Sequence, residues 1–212
     1  MGHTEAMRHT IAGILFDVNG LLVALDGVPS VAKLLCVQPE YDALHAMWLA
    51  SPSVVAHETG KIDAASFAVG VVDDLRLPVS PVDFLQDFCS WPTGLMPGAL
   101  QLLDDIPKNY RLAALSNTSA VHWEKIQAMG LVGRFDQAYL SHEIGCLKPS
   151  TEAFMVALTG MKLSPSDVLF LDDSLRNIEV AAQLGMHAYV CRGPKDARHV
   201  LARYGVVSGG VA

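Results

Sequence analysis

Five short, mainly apolar segments constrain the fold of this chain more than any other feature of its sequence. Four of them run directly into a polar residue. The segments are 11–16 before Asp17, 111–115 before Ser116, 138–140 before Ser141, 168–171 before Asp172, and 188–191. An apolar run of this length suits a strand that is buried on both faces of a parallel sheet. The sequence therefore predicts a parallel sheet.

Helical patterns separate the later segments, and three of these patterns stop next to a glycine. They are Ser119–Met129 before Gly130, Thr151–Thr159 before Gly160, and Leu175–Leu184 before Gly185. A glycine just beyond a helix is typical of a left-handed C-terminal cap. Because strands and helices alternate, the sequence predicts right-handed βαβ units and an α/β fold.

The stretch from Leu21 to about Trp91 departs from this alternation and is interpreted as consecutive helices. The predicted helices are Ser30–Val37, Tyr41–Leu49, Asp63–Leu75 and Pro81–Phe88, with breaks at 38–39, 51–53, 60 and 78–81. The α/β pattern resumes at 96–99, and a frayed tail is expected from residue 207 to 212. We therefore predict a core domain from residues 1–20 and 96–212, with an inserted helical domain at 21–95.

Charge and composition argue against several classes of partner. The chain has 212 residues and a net charge of −7, without a dense run of lysine or arginine, so neither nucleic acid nor a membrane surface is an expected partner. Its apolar runs are too short to span a bilayer, and residues 1–8 do not resemble a signal peptide. The four cysteines are scattered without a CxxC pair, so we expect a cytoplasmic protein with free thiols.

Polar side chains gather where the predicted strands end. Asp17 follows the first strand, Ser116-Asn117-Thr118 the second, and Asp172-Asp173 a later one, while Lys148 precedes a helix. Ligands of open parallel sheets bind outside the carboxyl ends of the strands, so these groups are expected to converge on one crevice. Each alone would be an ordinary turn or cap residue, and it is the combination that indicates a site.

The residue types in this crevice suit phosphoryl transfer. Asp17 is a carboxylate that can attack phosphorus and form an aspartyl-phosphate. The gathered acids repel one another and favour a cation such as Mg²⁺, which prefers oxygen ligands and neutralises charge during transfer. Ser116 and neighbouring backbone N–H groups can hold phosphate oxygens, and Lys148 supplies a compact positive charge.

Four ordered motifs resemble those of the haloacid dehalogenase superfamily. They are Phe16-Asp17-Val18-Asn19-Gly20, Leu115-Ser116-Asn117-Thr118, Lys148-Pro149 and Phe170-Leu171-Asp172-Asp173. The insertion resembles the superfamily's C1-type helical cap. Glu58-Thr59-Gly60-Lys61-Ile62 and the Ser-Asn-Thr motif are most similar to the branch that contains the YihX sugar-phosphate phosphatase and the amino-terminal phosphatase domain of soluble epoxide hydrolase.

This resemblance implies a Rossmann-like core, Mg²⁺ as the cofactor and Asp17 as the nucleophile. The metal would lie between Asp17, the backbone carbonyl of Asn19 and the acids Asp172 and Asp173, with Asp173 the expected direct ligand. Substrate would be bound by Ser116, Asn117 and Lys148. The implied enzyme is a Mg²⁺-dependent hydrolase of a small phosphorylated substrate, as a monomer or homodimer.

One position departs from the pattern of the phosphatases. They usually carry a second aspartate two residues after the nucleophile, where this chain has Asn19. An amide has no proton to exchange near neutral pH, and acid–base catalysis contributes about 10²–10⁴-fold. Three interpretations stay open: a phosphatase that uses another acid, an impaired or non-catalytic relative that binds a phosphorylated ligand, and an asparagine introduced by design. Haloacid dehalogenation is less favoured, because the tyrosine of that branch is absent at this position.

The remaining polar candidates are given structural roles and no part in catalysis. Facing the substrate is one interpretation of His57 and Glu58, but a place on the surface of the insertion is favoured. His122 and Trp123 are expected to pack. Asn177 is expected to orient Asp172 and Asp173. The sequence does not identify the substrate.

Overall fold

The structure is a computed structural model that describes residues 11–36 and 41–208. It has seven strands, which are β1 (Gly13–Phe16), β2 (Val23–Leu25), β3 (Pro92–Leu95), β4 (Arg111–Ser116), β5 (Gln137–Leu140), β6 (Val168–Asp172) and β7 (His187–Val190). The larger sheet has the order β5-β4-β1-β6-β7, and every pair in it is parallel. This confirms the predicted α/β fold with a Rossmann-like parallel sheet.

The register of the sheet determines where the site is built. Phe16 at the end of β1 pairs with Ala114 of β4 on one side and with Leu171 of β6 on the other. The carboxyl ends of three neighbouring strands therefore lie at one edge, and the residues that follow them meet there. Side chains of β1 alternate between two buried layers, since Phe16 belongs to one apolar cluster and Leu15 to the other.

Eleven α-helices lie in the described ranges. They are α1 (Gly27–Leu35), α2 (Tyr41–Ala50), α3 (Pro52–Glu58), α4 (Ala64–Asp74), α5 (Pro81–Ser90), α6 (Ala99–Asp104), α7 (Ala120–Gln127), α8 (Ser141–Ile144), α9 (Thr151–Met161), α10 (Leu175–Gln183) and α11 (Pro194–Arg203). Helices α1 to α5 form the insertion, which we call the cap, and the others accompany the sheet.

The cap has an aromatic core of its own, separate from the two layers around the sheet. Its largest buried members are Trp48, Phe67, Phe84, Phe88 and Trp91. Trp48 lies 5.1 Å from Trp91 between ring centroids, and Phe67 lies 4.8 Å from Phe88. Aromatic side chains bury large apolar areas, so five of them give this small helical unit a substantial interior.

The end of α5 is fastened to α7 by side chains of α7. The ring Nε2 of His122 lies 2.7 Å from the carbonyl of Phe88. Lys125 Nζ donates to the carbonyls of Cys89 and Ser90 at 3.5 and 3.0 Å. The Phe88 carbonyl also accepts from the backbone N–H of Trp91, and α7 adds side-chain donors to the last-turn carbonyls of α5.

The prediction of an insertion made only of helices was wrong at its two ends. Strands β2 and β3 form a separate antiparallel ribbon that joins the cap to the sheet. They have only three and four residues, and Gly94 interrupts the second, so neither shows the alternation by which strands are recognised.

Two helix boundaries also differ from the prediction. The expected break at 51–53 is the start of α3, because Ser51 accepts from the backbone N–H of Val54 and Pro52 occupies the first turn. Gly160 is not a cap, since α9 continues to Met161 and ends at a left-handed Lys162. The glycine instead serves packing, because a Cβ there would overlap the ring of Tyr139.

Some sequence expectations fall outside the described residues. These are the leader analysis of 1–8, the helix end at Val37, the break at 38–39 and the last four residues of the tail. Across 11–36 and 41–208, no helix has the length and apolar character that a membrane crossing requires.

Candidate active site

Three carboxylates meet at the carboxyl edge of the sheet. Asp17 follows β1, Asp172 ends β6, and Asp173 is the next residue. Each offers one oxygen, and these oxygens all lie within 4.8 Å of one another. Asp17 and Asp172 are buried and Asp173 is half-buried, so little water screens their mutual repulsion. The predicted convergence of these acids is therefore observed.

Lys148 lies between two of the acids. Its Nζ donates to Asp17 Oδ1 and to Asp172 Oδ2, both at 2.7 Å, and all three side chains are buried. Burial disfavours the ammonium, but the charges of Asp17 and Asp172 outweigh it and raise the pKa of Lys148. Lys148 thus stays charged and holds one oxygen of the Asp17 carboxylate.

One lysine does not balance three acids. Burial raises the pKa of Asp17 to about 8, with Asp172 and Asp173 adding to this effect and Lys148 opposing it. Burial also raises the pKa of Asp173 to about 6, and the neighbouring Asp172 raises it further. Burial is the main cause of both shifts, and the three acids share one lysine, so a divalent cation would add compensating positive charge.

Asp172 is saturated by hydrogen bonds. Its Oδ1 accepts from the backbone N–H of Ser174 at 2.8 Å and from Asn177 Nδ2 at 2.9 Å. Its Oδ2 accepts from Lys148 and from Asn177 Nδ2 at 3.0 Å. Asn177 therefore orients Asp172, as expected. Because both oxygens are engaged, Asp172 serves mainly to hold Lys148.

Gly20 lies directly against Asp173, which the sequence analysis missed. Its φ of +81° is in the left-handed region, and a Cβ there would overlap the Asp173 carboxylate. Only glycine meets both conditions without strain. The backbone after the nucleophile thereby approaches Asp173 closely, and the one signal in the sequence was the Asn-Gly pair.

The loop after β4 contributes an unpartnered hydroxyl. Ser116 is fully buried, and its Oγ has no hydrogen-bond partner in the described structure. Asn117 has a different task, because its Nδ2 donates to the Lys148 carbonyl at 2.9 Å and its Oδ1 accepts from the Lys148 N–H at 2.8 Å. Both ends of the Asn117 amide thus fix the backbone of Lys148.

Asn19 is tied to the same loop. Its Nδ2 donates to the carbonyl of Asn117 at 3.1 Å, while its Oδ1 is buried without a partner. Asn19 Oδ1 and Ser116 Oγ are therefore two buried oxygens without a hydrogen-bond partner among the described residues. Asn19 lies two residues after Asp17, and Ser116 ends the strand next to β1. Buried polar atoms are normally paired, so unpaired ones at a predicted crevice indicate a site for a ligand. The oxygen-rich donor set fits Mg²⁺.

The expectation that His57 and Glu58 lie on the surface was wrong. His57 is buried and stacks on Phe67 with ring centroids 4.2 Å apart. Glu58 is half-buried and accepts from Trp48 Nε1 at 3.3 Å. His122 packs as expected, stacked on Phe88 at 4.0 Å. The polar residues of α3 thus belong to the inner side of the cap.

Two surface clefts lie away from these groups. They have volumes of about 340 and 330 Å³ and open at the amino-terminal edge of the sheet, where Lys162 lines both. Neither contains any of the three acids, Ser116 or Lys148. The candidate active site is therefore assigned to the carboxyl edge of the sheet, where the charged side chains and the unpartnered oxygens lie.

Comparisons with known proteins identify the family of this chain. A family model described as haloacid dehalogenase-like hydrolase matches residues 11–185. Among curated proteins, D-ribitol-5-phosphate phosphatase of Bacteroides thetaiotaomicron is 25% identical over 90% of this chain and 97% of its own length. N-acetylmuramic acid 6-phosphate phosphatase of Pseudomonas putida is 25% identical over 86% of this chain and 83% of its own length.

Solved structures show the same fold. A HAD family enzyme from Bacteroides thetaiotaomicron, in complex with magnesium and inorganic phosphate, has a TM-score of 0.69 at 24% identity and covers 85% of this chain and 93% of its own. A predicted HAD-like hydrolase from Porphyromonas gingivalis has a TM-score of 0.73 at 21% identity over 92% of this chain and 97% of its own.

Proposed function

The chain belongs to the haloacid dehalogenase-like hydrolases, and on that premise we propose that it is a Mg²⁺-dependent phosphatase of a small phosphomonoester. The observation that carries the proposal is the buried cluster of Asp17, Asp172 and Asp173 around Lys148, beside the unpartnered hydroxyl of Ser116. The two named phosphatases among its relatives, which act on phosphates of small molecules, support it.

Asp17 is the nucleophile in this proposal. Lys148 holds its Oδ1, which leaves Oδ2 to attack phosphorus. The P–O bond to the leaving group breaks as the bond to Asp17 forms, and the leaving oxygen takes a proton from water, because the Asn19 amide has none to give. Water then attacks the aspartyl-phosphate, which releases inorganic phosphate and restores the carboxylate.

Ser116 and Lys148 bind the phosphoryl group. The Ser116 hydroxyl has an unused donor inside the site, and the Lys148 ammonium offers positive charge beside the nucleophile. Asn117 acts on substrate through Lys148, whose backbone it fixes from both ends. The sequence analysis expected Asn117 to contact substrate directly, whereas here it acts by positioning Lys148.

Mg²⁺ would be held by Asp17, the Asn19 carbonyl and Asp173, with Asp172 acting through Lys148. When bound, the ion neutralises charge on the transferring phosphoryl group. Asp173 is the better direct ligand because the hydrogen bonds of Asp172 already engage both of its oxygens. Gly20 permits the approach of Asp173 to the backbone after the nucleophile.

The second candidate is a weakly catalytic or non-catalytic protein that binds a phosphorylated ligand. Asn19 favours it, because its amide is tied to the Asn117 carbonyl and has no proton to exchange. Haloacid dehalogenase activity has no such support. The separation of a core at 1–20 and 96–212 from a cap at 21–95, the cytoplasmic location and a monomer or homodimer remain part of the proposal.

A phosphate-release screen tests the function. Sugar phosphates, polyol phosphates and p-nitrophenyl phosphate are supplied with and without Mg²⁺ to the wild type and to Asp17→Ala. We expect turnover only in the wild type with Mg²⁺, and an unchanged circular dichroism spectrum for the variant. Turnover by folded Asp17→Ala would eliminate Asp17 as the nucleophile. Phosphate binding without turnover would favour the second candidate.

A further inference from the structure

Ser141 is a buried polar residue at the carboxyl edge of the sheet that the proposed mechanism does not use. It follows β5 directly and begins α8. In the parallel pairing of β4 with β5, Ser116 lies opposite Leu140, so the two strands end side by side. The residue after β5 therefore arrives next to the loop after β4, which contains Asn117 and Thr118.

The Ser141 hydroxyl binds both backbone groups of one residue in that loop. Its Oγ accepts from the N–H of Thr118 at 2.9 Å and donates to the carbonyl of Thr118 at 3.0 Å. A hydroxyl can do both because it is a donor and an acceptor. Thr118 and Ser141 are only 2% and 1% exposed, so water competes little for these bonds. One side chain thus restrains the two peptide planes that meet at Thr118.

The neighbouring His142 adds a second donor. Its Nδ1 lies 2.9 Å from the same carbonyl of Thr118, and because a carbonyl only accepts, this nitrogen carries the proton. Ser141 and His142 together use both lone pairs of that oxygen. From the cap, Gly60 packs so closely on the His142 carbonyl that a Cβ would overlap it. The short helix α8 is therefore held between β5 and the cap, and it supports the loop after β4.

The loop that α8 supports carries the groups proposed to bind phosphate. Ser116, two residues before Thr118, has the unpartnered hydroxyl, and Asn117 fixes the backbone of Lys148 from both ends. A rotation of the peptide between Asn117 and Thr118 would move the Ser116 hydroxyl and Lys148 relative to Asp17. Catalysis is sensitive to such shifts, since a displacement of about 1 Å can cost about 10²-fold in rate.

We propose that Ser141 is a positioning residue, which by binding both backbone groups of Thr118 sets Ser116 and Lys148 where they bind one phosphoryl group. This rests on the proposed phosphatase function and deepens it. The single donor of the Ser141 hydroxyl is used by the Thr118 carbonyl, so Ser141 acts on phosphate through the loop. Without Ser141, the buried N–H of Thr118 needs another acceptor, and the loop must rotate to reach one.

The test measures phosphate binding and metal binding separately in the wild type and Ser141→Ala. Inorganic phosphate is titrated calorimetrically at saturating Mg²⁺, and Mg²⁺ is titrated in the absence of phosphate. We expect phosphate affinity to fall about 10-fold and Mg²⁺ affinity to stay within about 2-fold, because the proposed metal ligands lie outside the loop. For any substrate that is turned over, kcat/KM should fall about 10–100-fold.

Ser51→Ala is a matched control from the cap. Ser51 is also a buried serine with two hydrogen bonds, one from the Val54 N–H and one to Asp74. Both alanine variants should lose stability in urea, and only Ser141→Ala should lose phosphate affinity. His142→Ala keeps the Ser141 hydroxyl and removes the second donor to the Thr118 carbonyl, so we expect a smaller loss of phosphate affinity, about 3-fold. If Ser141→Ala does not fold, the same titrations of His142→Ala decide.

The outcomes separate this inference from the proposed function. A wild type that binds phosphate no better than Ser141→Ala overturns the inference and leaves the phosphatase proposal intact. Equal losses of phosphate and Mg²⁺ affinity in Ser141→Ala also overturn it, because Ser141 would then support the fold in general. A wild type that neither binds nor releases phosphate contradicts the proposed function itself, and the role of Ser141 with it.

Discussion

The edge of the sheet and the interior of the cap handle buried polar groups in opposite ways. At the sheet edge, Lys148 and Asn177 pair with acids, and each polar atom of Asp172 has partners. In the cap, His57 and Glu58 sit among aromatic rings with few polar neighbours. Charge pairing fixes geometry to fractions of an ångström, whereas aromatic packing fixes shape. The sheet edge is therefore organised by charge pairing, and the interior of the cap by aromatic packing.

The strongest test of this division is Asn19→Asp in the core. The new carboxyl lies two residues beyond the nucleophile and can give a proton to the leaving group. We expect kcat to rise by about 10²–10⁴-fold with a smaller change in KM. Steady-state kinetics with and without Mg²⁺ measures this on freshly prepared protein.

Intact-mass analysis must precede those kinetics. Asn19-Gly20 is a pair prone to deamidation, which would convert part of a stored wild-type sample into the variant or its isomer. If verified Asn19 protein turns over as fast as Asn19→Asp, another group supplies the proton, and this prediction is wrong.

Asp173→Ala should act on the metal. Asp172 is engaged by hydrogen bonds, so Asp173 carries most of the direct carboxylate binding beside Asp17. We expect Mg²⁺ affinity to fall at least about 10–100-fold, the size of effect known for indirect supporting groups. Isothermal titration calorimetry measures it. Equal affinities in the wild type and the variant would mean that the ion binds elsewhere.

Substitutions in the contact between α7 and the end of α5 should change the stability of the protein and leave its catalytic rate unchanged. His122→Phe keeps a ring against Phe88 and removes the donor to its carbonyl. We expect a loss of about 0.5–1.5 kcal/mol in the free energy of unfolding, since the Phe88 carbonyl loses one of its two hydrogen bonds and keeps the one from the Trp91 N–H. His122→Gln, which retains a donor, should recover part of it. Urea denaturation measures both variants. A His122→Phe protein as stable as the wild type would show that this hydrogen bond does not stabilise the contact between α5 and α7.

The same histidine should also make the stability depend on pH. Burial lowers the pKa of His122 to about 4 from 6.5, and the bond to Phe88 only partly opposes this. The unfolded chain binds this proton first, so stability is present above about pH 6.5 and is lost as the pH falls toward 4. Between pH 6.5 and 5 the loss is ~1.5 kcal/mol. The difference between wild type and His122→Gln isolates it, and parallel pH curves would refute it.

The sequence was informative where one element determines its own structure. An apolar run that ends in an acid needs no partner to be recognised, so β1, β6 and their acids were predicted correctly. The convergence of Asp17 and Asp172 then follows from the rule that parallel strands share an edge. The family and the hydrolase class were confirmed for the same reason, since they rest on these motifs.

The sequence was least informative where two distant segments determine one another. The β2–β3 ribbon forms between residues about 70 positions apart, and neither strand has a pattern of its own. Asn117 fixes Lys148 across 31 residues, a pairing that no local rule shows. Glu58 looked like a surface residue because the indole of Trp48 becomes its neighbour only when α2 and α3 pack.

The fastening of α5 by α7 limits how this cap can be exchanged. The terminal carbonyls of Phe88, Cys89 and Ser90 receive their donors from His122 and Lys125, which lie in the other part of the chain. A cap moved to a different core would leave its last helix without these donors. Chimaeras that recombine the family's caps should therefore transfer the cap together with α7. The hydrogen bonds that complete the end of α5 come from α7, which lies outside the cap in the sequence.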